Sequence, residues 1–341
     1  MALAAAPTGR LLHLIDRFAH PTVVVFGDLL ADEYVYGRVA RVSREAPVLI
    51  LEYDSTEVLP GGAGNAVNNV ASLGGRATLV GLAGRDEAGR RLLAALPRRV
   101  ARDGIVRPSD YETPVKTRIL AGGIHSAKQQ VVRIDKRNEG ITDAHRSAVE
   151  RAAVRACLRA DAVLVSDYGS GLVTPGFVHR LARRVRTRRR VPMLIDSRYA
   201  LTRYSRLTAC TPNESEVEHA LGVTIDDRPR VLERAGRTIL ERTRMEAVLI
   251  TRGSRGMALF EPNKPTIHIP IFGSDQIADV TGAGDTVMAT ITLALGAGAT
   301  FEEAARLANY AGGLVVMKRG TATVTADELR HAVELDARRA T

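Results

Sequence analysis

The segment D-V-T-G-A-G-D-T at 279–286 joins two carboxylates to a run of very small residues, directly before the apolar stretch TVMATITLALGAG. Gly282, Ala283 and Gly284 let backbone approach a ligand closely. Their N–H groups at a helix N-terminus would hold an anion, favoured there by the helix dipole. Asp285 is also an ordinary residue for a helix's first turn. Yet a carboxylate beside an anion loop repels the anion, unless it accepts a proton from a hydroxyl that attacks a phosphoryl group. The loop amides would then stabilise charge on the transferred group, roughly 2.7–4 kcal/mol per donor in a closed site. Other phosphate loops are misspelt here. No GxxxxGK[ST] occurs, and Val287 stands where GxGxxG needs glycine.

Two further segments carry hydrogen-bonding chemistry. In P-G-G-A-G-N at 60–65, Gly61 and Gly62 offer a hinge and Asn65 an amide for a hydroxylated ligand. Asp28 ends the first apolar strand, with Asp32 four residues on. Carboxylates at strand ends suit sugar hydroxyls.

These segments need a scaffold. Apolar, β-branched runs recur at 22–28, 77–84, 161–167, 191–197 and 246–253. Helical patterns fill 62–74, 143–158, 174–187, 227–243, 284–298 and 301–316. Near-continuous apolar strands alternating with helices predict one doubly wound α/β domain, its mostly parallel sheet covered on both faces. Residues 33–60 and 113–135 break the alternation with strand-like pieces and no helix. They predict a small β-sheet lid over a site at the strand ends. Residues 1–20 read as an N-terminal extension, 21–335 as the domain and 336–341 as a tail.

Composition narrows the class. The 341 residues are 45% hydrophobic and 25% charged, which excludes a disordered chain or a fibre. No run approaches the roughly 18 apolar residues of a membrane span, and the N-terminus lacks a signal-peptide pattern. Cys157 and Cys210 form no CxxC pair, which suits a reducing cytoplasm. The net charge of +10 fits nucleic acid or anionic small molecules. Its densest run, arginines 183–190, falls at a helix end and reads as a solvated face; only 4% of residues are aromatic, which disfavours stacking on single strands.

The motifs resemble a known family. G-G-A-G-N at 61–65 with A-S-L-G and V-G-L-A-G (71–84) is similar to the first signature of the ribokinase/PfkB carbohydrate kinases. D-V-T-G-A-G-D-T is similar to the second, and the likeness spans about 20–330. It implies a ribokinase-like fold with a lid and ATP-dependent phosphorylation of a sugar hydroxyl with Mg²⁺. Asp285 would be the base, with Gly282, Ala283 and Gly284 as the anion hole. Asp28, Asp32, Gly61, Gly62 and Asn65 would hold the sugar. T-P-N-E-S-E (211–216) resembles the family's NxxE motif, so Asn213 and Glu216 would serve nucleotide and metal, Glu216 through water. T-R-G-S-R-G (251–256), with Thr251, Gly253 and Gly256, resembles a nucleotide-side turn. A-N-Y-A-G-G (308–313) with Lys318 and Thr321 resembles the adenine-flanking helix and loop, which puts Asn309 beside the base.

Within that family, residues 27–48 and V-L-V-S-D-Y-G-S-G (163–171) are similar to D-glycero-D-manno-heptose 7-phosphate kinases. Those kinases phosphorylate the anomeric hydroxyl on the route to ADP-heptose. A phosphorylated substrate wants cations, and Arg41, Arg44, Lys116, Arg118 and Arg133 lie in or near the lid segments. Arg198, in D-S-R-Y, replaces the lysine of the branch's D-P-K and would contact phosphate on the nucleotide side. The stretch 122–130 also departs from the branch, whose members often carry a fused nucleotidylyltransferase domain; no HxGH-type motif occurs here. Relatives often pair through the lid, which implies a homodimer. Three alternatives remain: a kinase of another sugar or sugar phosphate, a nucleoside kinase, and a nucleotide-binding regulator without catalysis.

Overall fold

The computed structural model describes residues 7–122, 128–138, 140–187, 190–226, 228–273, 279–318 and 320–340. Residues 123–127 of the divergent stretch, and Arg188 and Arg189 of the arginine run, lie outside the described residues.

Thirteen described strands follow one another along the chain: β1 (Thr22–Gly27), β2 (Leu29–Val42), β3 (Leu49–Gly62), β4 (Arg76–Leu82), β5 (Val100–Val106), β6 (Val115–Gly122) and β7 (Gln129–Lys136) come first. Then come β8 (Ala162–Asp167), β9 (Met193–Ser197), β10 (Ala209–Cys210), β11 (Ala247–Thr251), β12 (Met257–Phe260) and β13 (Ile267–Ile269). The large sheet runs β13-β12-β11-β10-β9-β8-β1-β4-β5. It is parallel from β5 to β11, and β12 and β13 add antiparallel strands at one edge.

Alternate side chains of β1 explain why its run is continuously apolar. Val23 and Val25 enter one core with the helices Ala63–Ser72, Ala283–Gly296 and Phe301–Val315. Val24 and Phe26 enter the other, beneath Asp143–Cys157, Pro175–Arg186 and Pro229–Thr243. A strand covered on both faces has no polar side to show. The helix Thr8–Asp16 buries Leu11, Leu14 and Ile15 in the first core and packs on the helix Ala326–Ala340.

The second sheet, β3-β2-β6-β7, is the predicted lid. It starts earlier than the sequence pattern suggests. Asp28 alone separates β1 from β2, so the chain passes from core sheet to lid without a loop, and β3 runs on to Gly62. The helix Glu87–Ala95 and strands β5, β12 and β13, unread in the sequence, complete the edges. No helix among the described residues is long and apolar enough to cross a membrane.

Candidate active site

Parallel topology brings the candidate residues together. The carboxyl ends of adjacent strands β4, β1, β8, β9, β10 and β11 form one rim, where open α/β sheets bind ligands. Asp28 follows β1, Tyr168 follows β8, Arg198 follows β9, and Asn213 and Arg252 follow β10 and β11. The lid stands over the middle of this rim.

Asp285 lies in the first turn of the helix Ala283–Gly296 and is buried. Asn65 Nδ2 donates to its Oδ2 at 2.7 Å, and the Tyr168 hydroxyl donates to Oδ1 at 3.1 Å. Asn65 is itself fixed: its Oδ1 accepts from Asn69 Nδ2 at 3.2 Å, and Asn69 Oδ1 accepts from the Thr286 hydroxyl at 2.8 Å. Burial pushes the Asp285 carboxyl up to about 6, against the pull of these donors and of Lys116. A base poised there is ionised at neutral pH and still basic enough to take a proton.

The loop before it is shaped for an anion. Gly282 sits at φ +79°, where a Cβ would lie 2.6 Å from Asn65 Nδ2, so only glycine fits. Gly284 is exposed with open space where a side chain would stand. Among the described residues the N–H groups of Gly282 and Gly284 have no acceptor. Ala283 departs from the expected role, because its N–H donates to the Val280 carbonyl at 3.2 Å and closes a turn. Asp279 braces the loop through Thr281 N–H at 2.9 Å and Gly320 N–H at 3.0 Å.

The lid flank holds buried carboxylates and several cations. Asp32 is ion-paired with Arg118, which also lies over the Tyr34 ring. A side chain at Gly61 would collide with the Asp32 carboxylate, which accounts for that glycine. Gly62 stands beside Asp28, whose carbonyl accepts from Ala63 N–H at 3.0 Å. The Asp28 carboxylate faces inward: it takes Ser170 Oγ at 2.5 Å and the N–H groups of Tyr168 (2.8 Å) and Ser170 (3.3 Å). Its main bonds therefore fasten the turn after β8, and a sugar would share what remains.

A cleft of about 300 Å³ opens beside this turn. Lys116, Arg133, Lys136, Arg137 and Arg198 line it, against Asp28 and Asp135. Arg133 is bound by both oxygens of Asp135, and Lys136 by Glu112. Among the described residues Lys116, Arg137 and Arg198 have no carboxylate within ion-pair distance. Lys116 Nζ lies 5.0 Å from the Tyr168 ring centre, and burial lowers its pKa. Arg198, expected on the nucleotide side, lines this cleft, because the end of β9 faces the turn after β8, and its charge also acts on Asp196 and Glu216. Arg41 and Arg44 are exposed toward the β2–β3 hairpin tip and do not line it.

The opposite flank is built from turns and caps. Asn213 and Glu216 close a reciprocal capping box on the helix Glu214–Leu221, at 2.8 and 3.0 Å. Burial raises the Glu216 carboxyl, which keeps one oxygen outside the box. Thr251 ends β11, and Gly253 and Gly256, both at positive φ, bracket the following turn. Asn309 is half spoken for: its amide donates to the Pro270 carbonyl at 2.8 Å. Lys318 is turned away, its ammonium held by Thr323 O and Glu328, each at 2.7 Å. Thr321 Oγ1 and the Tyr34 hydroxyl are both buried and face each other.

Sequence reasoning passed over Tyr168 and Asp196. Both close apolar strand runs, the same signal that singled out Asp28. Asp196 is half-buried with no donor on its carboxylate among the described residues; burial and its neighbours Asp285 and Glu216 hold its pKa well above the usual range.

The profile of the pfkB family carbohydrate kinases matches residues 21–328. "Bifunctional protein HldE" of Pelobacter propionicus is 39% identical over 94% of this chain. The protein of the same name from Caulobacter sp. K31 is 41% identical over 94%. The chain spans only about 65% of the length of these relatives. Among solved structures, Arabidopsis thaliana ribokinase complexed with ribose and ATP superposes with a TM-score of 0.70 at 21% identity, covering 92% of this chain and 99% of that one. Escherichia coli phosphofructokinase-2 in complex with potassium gives 0.74 at 18% identity with the same coverage, so both show the shared fold. Matched over nearly its whole length, this chain belongs to the pfkB family of carbohydrate kinases, phosphotransferases acting on a sugar hydroxyl.

Proposed function

We propose that the chain transfers the γ-phosphoryl group of ATP to a sugar that already bears a phosphate, and that the acceptor is O1 of D-glycero-D-manno-heptose 7-phosphate. The observation that carries the sugar-phosphate reading is the cleft beside Tyr168, where Lys116, Arg137 and Arg198 have no carboxylate partner among the described residues. The heptose rests on the likeness to the 39–41% identical HldE proteins.

In this reading Asp285 takes the proton of the acceptor hydroxyl as its oxygen attacks phosphorus. Asn65 and Tyr168 hold the carboxylate in place. The free N–H groups of Gly282 and Gly284 meet the charge on the transferred group. Asp28 and Asp32 accept from sugar hydroxyls. Asn309 and the 251–256 turn flank the nucleotide.

Mg²⁺ takes one or two carboxylates plus phosphate and water. Glu216 and Asp196 fit that donor set: burial first, and then the neighbouring carboxylates, raise Asp196, and a cation would relieve the like charge. When bound, the ion would neutralise charge on the phosphates being separated. The lid exposes Val42, Val48, Leu49, Tyr53, Val132 and Ile134, and a second copy covering them is the reading we favour for a homodimer.

The test is ADP release with Mg-ATP against heptose 7-phosphate, sedoheptulose 7-phosphate, fructose phosphates, ribose and adenosine. Turnover confined to the heptose phosphate is the expected result. Turnover only on unphosphorylated ribose or adenosine would remove the sugar-phosphate reading.

A further inference from the structure

Tyr168 links Asp28, Lys116 and Asp285. Its N–H donates to Asp28 Oδ2 at 2.8 Å, its ring lies beneath Lys116, and its hydroxyl reaches Asp285 Oδ1 at 3.1 Å. Burial and the Asp285 charge push the phenol's own pKa well up, so it remains a donor and the direction of the bond is fixed. Asp285 is thus gripped at both oxygens, by Asn65 on Oδ2 and Tyr168 on Oδ1. Each oxygen keeps one lone pair, and the carboxylate cannot rotate without breaking a bond.

Resting on the reading of Asp285 as base, we propose that Tyr168 is a positioning residue: its hydroxyl donates to the Asp285 carboxylate and thereby holds it in the charged, proton-accepting form. The groups facing Asp285 come from four directions. Asp32 and Lys116 approach from the lid, Asn65 from the helix Ala63–Ser72, Tyr168 from the turn after β8 and Asp196 from β9. The two aspartates favour protonation, whereas Lys116 and the two donors oppose it. Removing the phenol takes away one of three opposing groups. Because the same side chain walls the cationic cleft, the base is held by a residue whose place depends on the substrate pocket.

The experiment is the pH dependence of kcat and kcat/KM for Tyr168→Phe, which keeps the ring. A hydrogen bond to a charged group is worth about one pH unit, so the acid limb should move up by about that much. Turnover near pH 6 then falls about fivefold, stays within about twofold near pH 8, and KM for ATP holds. A ring-fluorinated tyrosine at 168, a stronger donor, should move the limb the other way, and it decides the matter alone if the phenylalanine variant does not fold. A packing role would lower kcat equally at all pH values, and an unmoved limb overturns the proposal. If Asp285→Asn is inactive while the limb stays put, only the role of Tyr168 fails. If Asp285→Asn turns over fully, the base reading fails first.

Discussion

The two flanks of the Asp285 loop use their polar residues in opposite ways. On the lid flank, acids are buried and several cations have no carboxylate partner among the described residues. Asp28 and Asp285 are both pushed up to about 6 by burial, and Lys116 sits over a tyrosine face. On the other flank, polar groups are consumed locally. Asn213 and Glu216 cap each other, Asn309 holds Pro270, and Lys318 holds Glu328. Unrelieved charge is a condition that a charged substrate improves. Satisfied turns and caps instead present backbone and shape, which suits a planar base and a phosphate chain held by amides. Specificity for the acceptor should therefore sit in lid-flank side chains, and nucleotide binding should tolerate the loss of an already paired side chain such as Lys318 on the other flank.

Substitutions can break that contrast. The largest effect is expected for Asp285→Asn, a fall in kcat of about 10²–10⁴ with ATP affinity nearly unchanged. Steady-state ADP release checks it. In the parent enzyme the base works as a carboxylate, so activity should be lost as pH falls through about 6, where burial has moved it. Lys116→Ala comes next, with KM for the sugar phosphate raised about 10–100-fold, the range of a hydrogen bond to charge. The unphosphorylated sugar should show no such change; an equal rise for both would mean that Lys116 serves the fold and not the phosphate.

Smaller effects are expected on the other flank. Asn213→Ala removes the cap of the helix Glu214–Leu221 and should cost about 1 kcal/mol, read as a lower midpoint in urea. The smallest belongs to Lys318→Ala. Its ion pair is a third or more exposed at both ends, so the loss should stay within about 0.2–1 kcal/mol, and KM for ATP should not move. A large rise in that KM would show that Lys318 leaves Glu328 for the nucleotide, against the contrast drawn above.

Much of this was legible in the residues. Apolar runs covered on both faces gave the strands of the parallel sheet, and the small residues of 282–284 gave the close-approach loop. What could not be read was direction. Nothing in D-S-R-Y says that Arg198 faces the cleft, because that depends on β9 lying beside β8 in parallel. Lys318 resembles a nucleotide contact until the helix Ala326–Ala340 supplies Glu328 ten residues on. The N-x-x-E spacing of Asn213 and Glu216 serves a capping box as readily as a ligand, and the structure uses it for the box.

The sequence by itself determined the alternation of elements, the loop around Asp285 and the surplus of positive charge, because periodicity, glycine and charge act locally. Only the tertiary structure decided which charges are neutralised and which are left for a ligand. Asn65 meets Asp285 across 220 residues and Tyr168 meets it across 117, contacts set by strand order and helix packing. Burial, which raises the pKa of Asp285, exists only once the lid and both cores have closed around it.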